Sequence, residues 1–512
     1  MRHLSFLARQ RGVRPPRLVI QKRAGNKKVR KVHQFSAIGT DVLFGVHNNS
    51  LDNVSRGVLE RVFFAKMIGG GLGPPLYPIN GAIARLRPFR RAVLFHCPTS
   101  TPPDTWDEFP LRYRGRKRTV YQNAVEDLRV RPLARSDSFL RTFVKAEKIN
   151  FTAKPDPAPR VIQPRTPRFN VELGKYIKVI EKTMYKSVAK VFHSVTICKG
   201  LNAHQRGELM HKKWSRFRRP VGIGLDASRF DQHCSDQILH WEHGFYKALF
   251  PGCTELQRLL DWQVHNNGTA YTPDGKLKYR VTGCRMSGDM NTALGNCIIM
   301  CGLVWTYMSE LGISKYELMN DGDDCVLIIE SHQLHRLNQL QPWFRDFGYN
   351  MTMEPPETEL EKVEFCQCRP IYDGQHWVMV RDPRVSLAKD LITFKSLTNA
   401  GDFDFLRTAI ADCGISLTQG IPILEEYYSA LKRGAKVKKR RYQDYSTGMQ
   451  FMAHGMDRKE KTVTVEARVS FYMAFGYTPE QQVAIENHYR AMTLMFQDPI
   501  KVPFLVGDPY MD

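Results

Sequence analysis

The chain has 512 residues, 42% of them hydrophobic and 25% charged. That balance excludes a disordered, collagenous or low-complexity bulk and suits roughly three packed domains. Lys and Arg number 75 against 51 Asp and Glu, a net charge of +24, and so large a self-repelling excess points to a polyanionic partner, nucleic acid ahead of a membrane surface.

Residues 1–40 hold eleven Lys/Arg and no acid, which reads either as a solvated arm or as one lying along phosphates. The stretch Leu18-Val-Ile20 inside it is too short for the apolar core of a signal peptide. Gly69 to Pro75 punctuates the chain. Between 84 and 168 the sequence is rich in Arg and Pro, with short β-like runs such as Ala92–Phe95. Helical spacing of apolar residues follows over 171–192, then a buried strand over Val221–Leu225 and a helix over 236–250. Asn291–Leu311 reads as another helix. Its long apolar run, Leu294 to Met308, carries Asn296 and so fits a buried core helix rather than a membrane span. Tyr316–Met319 and Cys325–Ile329 read as two short strands joined by Asn320-Asp-Gly-Asp-Asp324 at a hairpin tip. Beyond 385 the chain turns mainly helical, with a basic knot at Lys432–Arg441 in which seven of ten residues are Lys or Arg. The eleven cysteines are scattered and make no zinc knuckle, so they read as free thiols of a reducing compartment.

Three segments carry chemistry. Asp226-Ala-Ser-Arg-Phe-Asp231 follows the buried strand, where an unpaired carboxylate is costly unless a cation neutralises it. Gly322-Asp323-Asp324, with Asp321 beside it, projects adjacent acids from a tight turn on apolar strands. Ser287-Gly-Asp-Met-Asn-Thr292-Ala-Leu-Gly-Asn296 opens a helix with Ser287 and Asn291 as candidate caps, and Thr292 and Asn296 share one helical face. Each segment alone also fits an ordinary surface feature.

Their order is more specific. Asp-x4-Asp, then Ser-Gly-x3-Thr-x3-Asn, then Gly-Asp-Asp resembles motifs A, B and C of viral RNA-dependent RNA polymerases. Phe143-Val-Lys145-Ala-Glu147-Lys148, Lys154 and Pro159-Arg160-Val-Ile-Gln-Pro164-Arg165 resemble the basic motif F of the same enzymes. Phe365-Cys-Gln-Cys-Arg-Pro370 resembles motif E. The wording at Glu364–Gln367 and Val378–Arg381 is most similar to tombusvirus-like plant viruses, Tombusviridae and umbraviruses. One departure stands out: the motif D stretch Tyr349–Pro356 has no lysine, and Lys362 is the nearest.

The resemblance implies an α/β (α+β) right-hand polymerase. Its divisions would be a basic arm and extension (1–83), fingers with motif F (84–220), a palm of antiparallel sheet and helices (221–384, with a fingers insertion over 232–285) and a mainly helical thumb (385–512). It implies template-directed nucleotidyl transfer with two Mg²⁺ ions, Mn²⁺ as substitute, held by Asp226, Asp323 and Asp324. Asp231 and Asn296, with Ser287 and Thr292, would recognise the ribose 2′-hydroxyl. Lys145, Lys154 and Arg160 would guide the triphosphate. The implied partners are viral RNA template and product, ribonucleoside triphosphates and a membrane-anchored viral accessory replication protein, since this chain shows no transmembrane segment. The setting is a membrane-associated replication complex in the host cytoplasm, and the chain would be part of a longer readthrough or frameshift product. Two rivals are a reverse transcriptase, which shares the metal carboxylates, and a non-catalytic basic RNA-binding or packaging protein.

Overall fold

A computed structural model describes residues 18–25, 29–34, 44–66, 71–436, 449–457, 459, 461–494, 496 and 500–501. Most of the basic arm and half of the basic knot therefore lie outside the described residues. The longer strands are β1 (Val19–Lys22), β2 (Leu140–Val144), β3 (Val161–Ile162), β4 (Pro220–Ala227), β5 (His265–Thr272) and β6 (Gly275–Thr282), followed by β7 (Glu317–Asp321), β8 (Asp324–Glu330), β9 (Met351–Met353), β10 (Cys368–Tyr372) and β11 (Trp377–Arg381). The longer helices are α1 (Leu51–Val58), α2 (Arg87–Phe95), α3 (Gly115–Val130), α4 (Pro167–Val191), α5 (Ala203–Trp214) and α6 (Asp236–Leu249). They continue with α7 (Thr254–Val264), α8 (Thr292–Glu310), α9 (Ala400–Leu417), α10 (Leu424–Lys432), α11 (Val465–Phe475) and α12 (Pro479–Ala491).

A four-stranded antiparallel sheet of order β7-β8-β4-β9 divides the two largest apolar cores. Ile223, Leu225, Leu327 and Ile329 pack on one side with α4, α6 and α8. Met319, Val326 and Ile328 pack on the other with α5, the β10–β11 hairpin and helices α9 to α12. A strand buried on both faces needs apolar residues without alternation, which is why Cys325–Ile329 is an unbroken run. The same burial explains α8, which is apolar almost all round because nearly every side is covered.

A second, five-stranded sheet has the order β1-β6-β5-β2-β3, antiparallel except where β2 runs parallel to β5. Leu51, Val54 and Val58 of α1 close its core against Leu140, Val144, Leu277 and Tyr279. The β10–β11 hairpin leads into the helical region expected after 385, and Ile392–Thr393 and Ile500–Lys501 flank His33–Gln34 in a small antiparallel sheet.

One expectation fails. Ala92–Phe95 is not β-like but the end of α2. Pro88 sits in the first turn, where its missing N–H has no intrahelical partner to lose. Phe89 and Val93, four apart, are the buried face, and the local run of β-branched and aromatic residues yields to that packing. All eleven cysteines are free thiols, as expected.

Candidate active site

The acidic tip is built by a two-residue turn. Asp321 pairs with Asp324 across β7 and β8, leaving Gly322 and Asp323 to close the hairpin. Gly322 has φ +92°, which an L side chain rarely tolerates, and a positive φ at the first central position alone is the II′ pattern. Asn320, fully buried, folds back on the turn: its Nδ2 donates to the Gly322 carbonyl at 2.6 Å and its Oδ1 accepts from the Gly322 N–H at 3.3 Å.

Register then does the rest. In the β8–β4 pairing Asp324 lies directly opposite Asp226, so residues almost a hundred apart become cross-strand neighbours with Asp323 at the adjoining tip. β9 places Thr352 on the other side of Asp226. The side chains of Asp226 and Asp323 open to solvent and that of Asp324 is half-buried. Asp323 is exposed as a residue, yet the protein packed around its carboxyl raises it above its ordinary value, and Asp226 adds to this. Asp324 is pushed up to about 6, first by burial and then by Asp323, Asp321 and Glu354. Among the described residues the three carboxylates do not lie as one tight three-ligand group. Such a set of oxygens fits hard divalent ions.

Asp321 behaves differently. Burial alone would raise its carboxyl, but Lys199 and Arg206 outweigh that and hold it below the ordinary value. Both ion pairs are direct, Arg206 approaching to 2.5 Å. Arg206 also donates to the carbonyls of Cys198 and Leu201, each at 3.1 Å. The third acid of the tip is therefore neutralised by the protein itself.

The motif E-like segment touches the same tip. Phe365 and Cys368 pair across a two-residue turn whose central residues, Cys366 and Gln367, have φ +53° and +61°. Neither is glycine, and such backbone strain is kept where the surroundings fix it. Here the Cys366 N–H donates to Asp324 Oδ2 at 3.1 Å.

Asp231 and Asn296 come together: Asn296 Nδ2 donates to Asp231 Oδ1 at 2.8 Å. Arg285 orients the amide by donating from Nε to Asn296 Oδ1 at 3.1 Å, and its other end pairs with the buried Glu242. Burial pushes Asp231 up to about 6 against the opposing pull of the Asn296 hydrogen bond and of Arg285. The sequence reading missed Arg285 and Glu242; a Glu within the apolar helix α6 was the available signal. It also misassigned Asn291. That side chain does not cap α8 but donates to Glu242 at 2.8 Å and accepts from Gln263 at 2.9 Å, because a buried carboxylate needs donors more than the helix end does.

Thr292 donates to the Met286 carbonyl at 2.9 Å, closing the loop before α8. Ser287 bridges to β3 and its exit, donating to the Val161 carbonyl at 3.3 Å and accepting from the Gln163 N–H at 3.2 Å. Of the basic residues, Lys145 and Arg160 stand together on Glu147, at 3.1 and 3.5 Å, and the charge of Arg160 acts on Asp323. Lys154 lies on an exposed turn, and among the described residues no hydrogen bond or ion pair joins its side chain to that pair. Arg165, quoted with the same motif, is wholly buried and paired with Asp289 at 2.5 Å, so it locks the loop instead of facing a channel. Lys362 is spent on Glu359 at 2.9 Å.

A family model described as viral RNA dependent RNA polymerase matches residues 18–497. The RNA-directed RNA polymerase of Turnip crinkle virus is 44% identical over 93% of this chain and 62% of its own length. That of Tobacco necrosis virus (strain A) is 42% identical over 95% of this chain and 67% of its own, and that of Cucumber necrosis virus 45% identical over 93% and 58%. The chain thus spans about three fifths of the length of the curated relatives it matches. A match running through both sheets and the whole acidic site, with relatives of this kind, leaves one assignment: the chain belongs to the viral RNA-dependent RNA polymerase family, in its tombusvirus-like branch.

Proposed function

We propose that this chain is the RNA-directed RNA polymerase of a positive-strand RNA plant virus, extending an RNA strand by template-directed nucleotidyl transfer with two divalent ions. The observation that carries the reading is the register that sets Asp226 opposite Asp324 with Asp323 at the turn between them and Asp321. Asp226 and Asp323 are the principal metal ligands, and Asp324, held by the Cys366 N–H, is the auxiliary. Two Mg²⁺ ions held there would lower the pKa of a primer 3′-hydroxyl and neutralise charge on the triphosphate and the leaving pyrophosphate; Mn²⁺ would substitute. Asp321 is excluded as a ligand because Lys199 and Arg206 already neutralise it.

Asp231 and Asn296 read the ribose 2′-hydroxyl, which both donates and accepts and so needs a carboxylate and an amide together. Ser287 and Thr292 shape the loop that presents Asn296. Lys145 and Arg160 supply the point charge and the guanidinium fork for the triphosphate, with Lys154 further out. The motif D stretch carries no lysine to protonate the pyrophosphate, which leaves that proton to bulk water or to a water held by an arginine.

In this reading the four-stranded sheet and its helices are the palm (221–384), residues 84–220 with the 232–285 insertion are the fingers, and the helices after 385 are the thumb. The net charge of +24 tracks template and product backbones. Synthesis takes place in a membrane-associated complex of the host cytoplasm, anchored by an accessory replication protein.

Incorporation of labelled ribonucleotide on a defined RNA template in Mg²⁺ tests the reading. Asp323→Ala should abolish incorporation while leaving RNA binding, measured by filter retention, close to that of the parent chain. Full synthesis by the variant would overturn the metal assignment.

A further inference from the structure

Away from the acidic tip, α5 and the β10–β11 hairpin bring together a second set of metal-binding side chains. His204 and Glu208 are four apart on α5 and so share one face. His376 comes from the hairpin turn. One ligand atom from each of the three lies within 4.8 Å of the other two. The His376 Nδ1 and Glu208 Oε1 are 3.6 Å apart, and the His204 and His376 rings meet edge to face with centroids at 4.8 Å.

Both supports are firmly made. The first turn of α5 carries a reciprocal cap: Asn202 accepts from the Gln205 N–H at 2.8 Å, and Gln205 accepts from the Asn202 N–H at 3.0 Å. In the hairpin turn Asp373 Oδ1 accepts from the N–H groups of Gln375 and His376 at 2.8 and 2.7 Å, which fixes the backbone under the imidazole. Glu208 Oε1 accepts from the Trp377 N–H at 2.8 Å, so its carboxylate is aimed before any ion arrives. The two elements touch at their backbones, because a Cβ at Gly207 would lie 2.5 Å from the Trp377 carbonyl oxygen.

We propose that His204, Glu208 and His376 form a Zn²⁺ site that staples α5 to the β10–β11 hairpin. Two imidazoles and one carboxylate are a borderline nitrogen–oxygen set that suits Zn²⁺, whereas Mg²⁺ demands oxygen ligands. Tetrahedral zinc at ordinary bond lengths sets ligand atoms about 3.4 Å apart. The Glu208–His376 pair already has that spacing, and small side-chain rotations bring in His204. Water fills the fourth position. The staple differs in metal preference from the aspartate site, and it grips two elements that support that site: α5 carries Arg206 on its opposite face to Asp321, and the hairpin leads back to the Cys366 N–H at Asp324.

The test uses the whole chain, stripped with chelator and titrated with Zn²⁺ in excess Mg²⁺, with a competing fluorescent zinc indicator and thermal unfolding as readouts. One equivalent should bind and raise the unfolding temperature. Glu208→Gln, which keeps the acceptor for Trp377, and His376→Ala, at an exposed position, should each weaken that binding about tenfold or more and cancel the thermal shift. All eleven thiols remain in both variants, so binding of parental strength in them would belong to other ligands, the cysteines first. Failure of the parent chain to bind this equivalent, or undiminished binding in both variants, would overturn the proposal.

Discussion

The pair proposed to read the sugar shows how much one hydrogen bond depends on the residues behind it. Asp231 is raised to about 6 by burial yet bonds Asn296, which Arg285 and Glu242 hold in turn. A site built to satisfy a hydroxyl leaves its own groups unpaired when that hydroxyl is missing, which is the source of strong discrimination. Asp231→Ala and Asn296→Ala should therefore each lower the preference for ribo- over deoxyribonucleotides by about tenfold or more, measured as the ratio of kcat/KM values on one template. Unchanged ratios in both variants would remove the pair from sugar recognition. The pair itself was legible only through the family resemblance, which carried both residues to one hydroxyl, since the spacing within each segment alone also fits a surface feature. Arg285 and Glu242 were not, since nothing local in Cys284-Arg-Met286 or in α6 says that two charges meet in the core. Ser287 and Thr292 were legible as residues of the loop, but their bonds to Val161, Gln163 and Met286 depend on which backbone folds beside them.

Among the elements, α5 and the β7–β8 hairpin are joined by a nearly buried ion pair. Arg206 and Asp321 are 7% and 12% exposed at their side chains, so removing Arg206 takes one of two cations from the Asp321 carboxylate and leaves Lys199. Arg206→Met should destabilise the chain by on the order of 2 kcal/mol in denaturant unfolding. Asp321→Asn in the same background should recover part of that loss, because the carboxylate that lost a partner goes with it. Additive losses in the two single variants and the double variant would show that the pair is not coupled. The strands and helices around this joint were legible from apolar patterning: the structure has β4, α6, α8, β7 and β8 where the sequence predicts them, within a residue or two. Ala92–Phe95 was misread because Val93 and Phe95 outweighed a helix whose evidence lay largely outside the run, in Pro88 and in the Phe89–Val93 spacing. Arg165 was read with its basic neighbours, although its pairing with Asp289 depends on a contact 124 residues away.

At the scale of the molecule, one antiparallel sheet with a packed core on each face fixes the acidic site. The pairing of β4 with β8 is long-range, and a slip of one residue would turn every side chain of either strand to the wrong face. Burial on both sides guards that register, so the opposition of Asp226 and Asp324 is as secure as the core itself. The sequence marked both acids as strand-end residues and the family order made them neighbours; the register that opposes them is a property of the folded sheet. A pair of divalent ions shared by these carboxylates would show itself in anomalous scattering from crystals soaked in Mn²⁺ and a ribonucleoside triphosphate. Two manganese peaks about 4 Å apart between Asp226 and Asp323 are the expected result. A map with no peak there, or with manganese bound instead at Asp231 or Asp321, would contradict it.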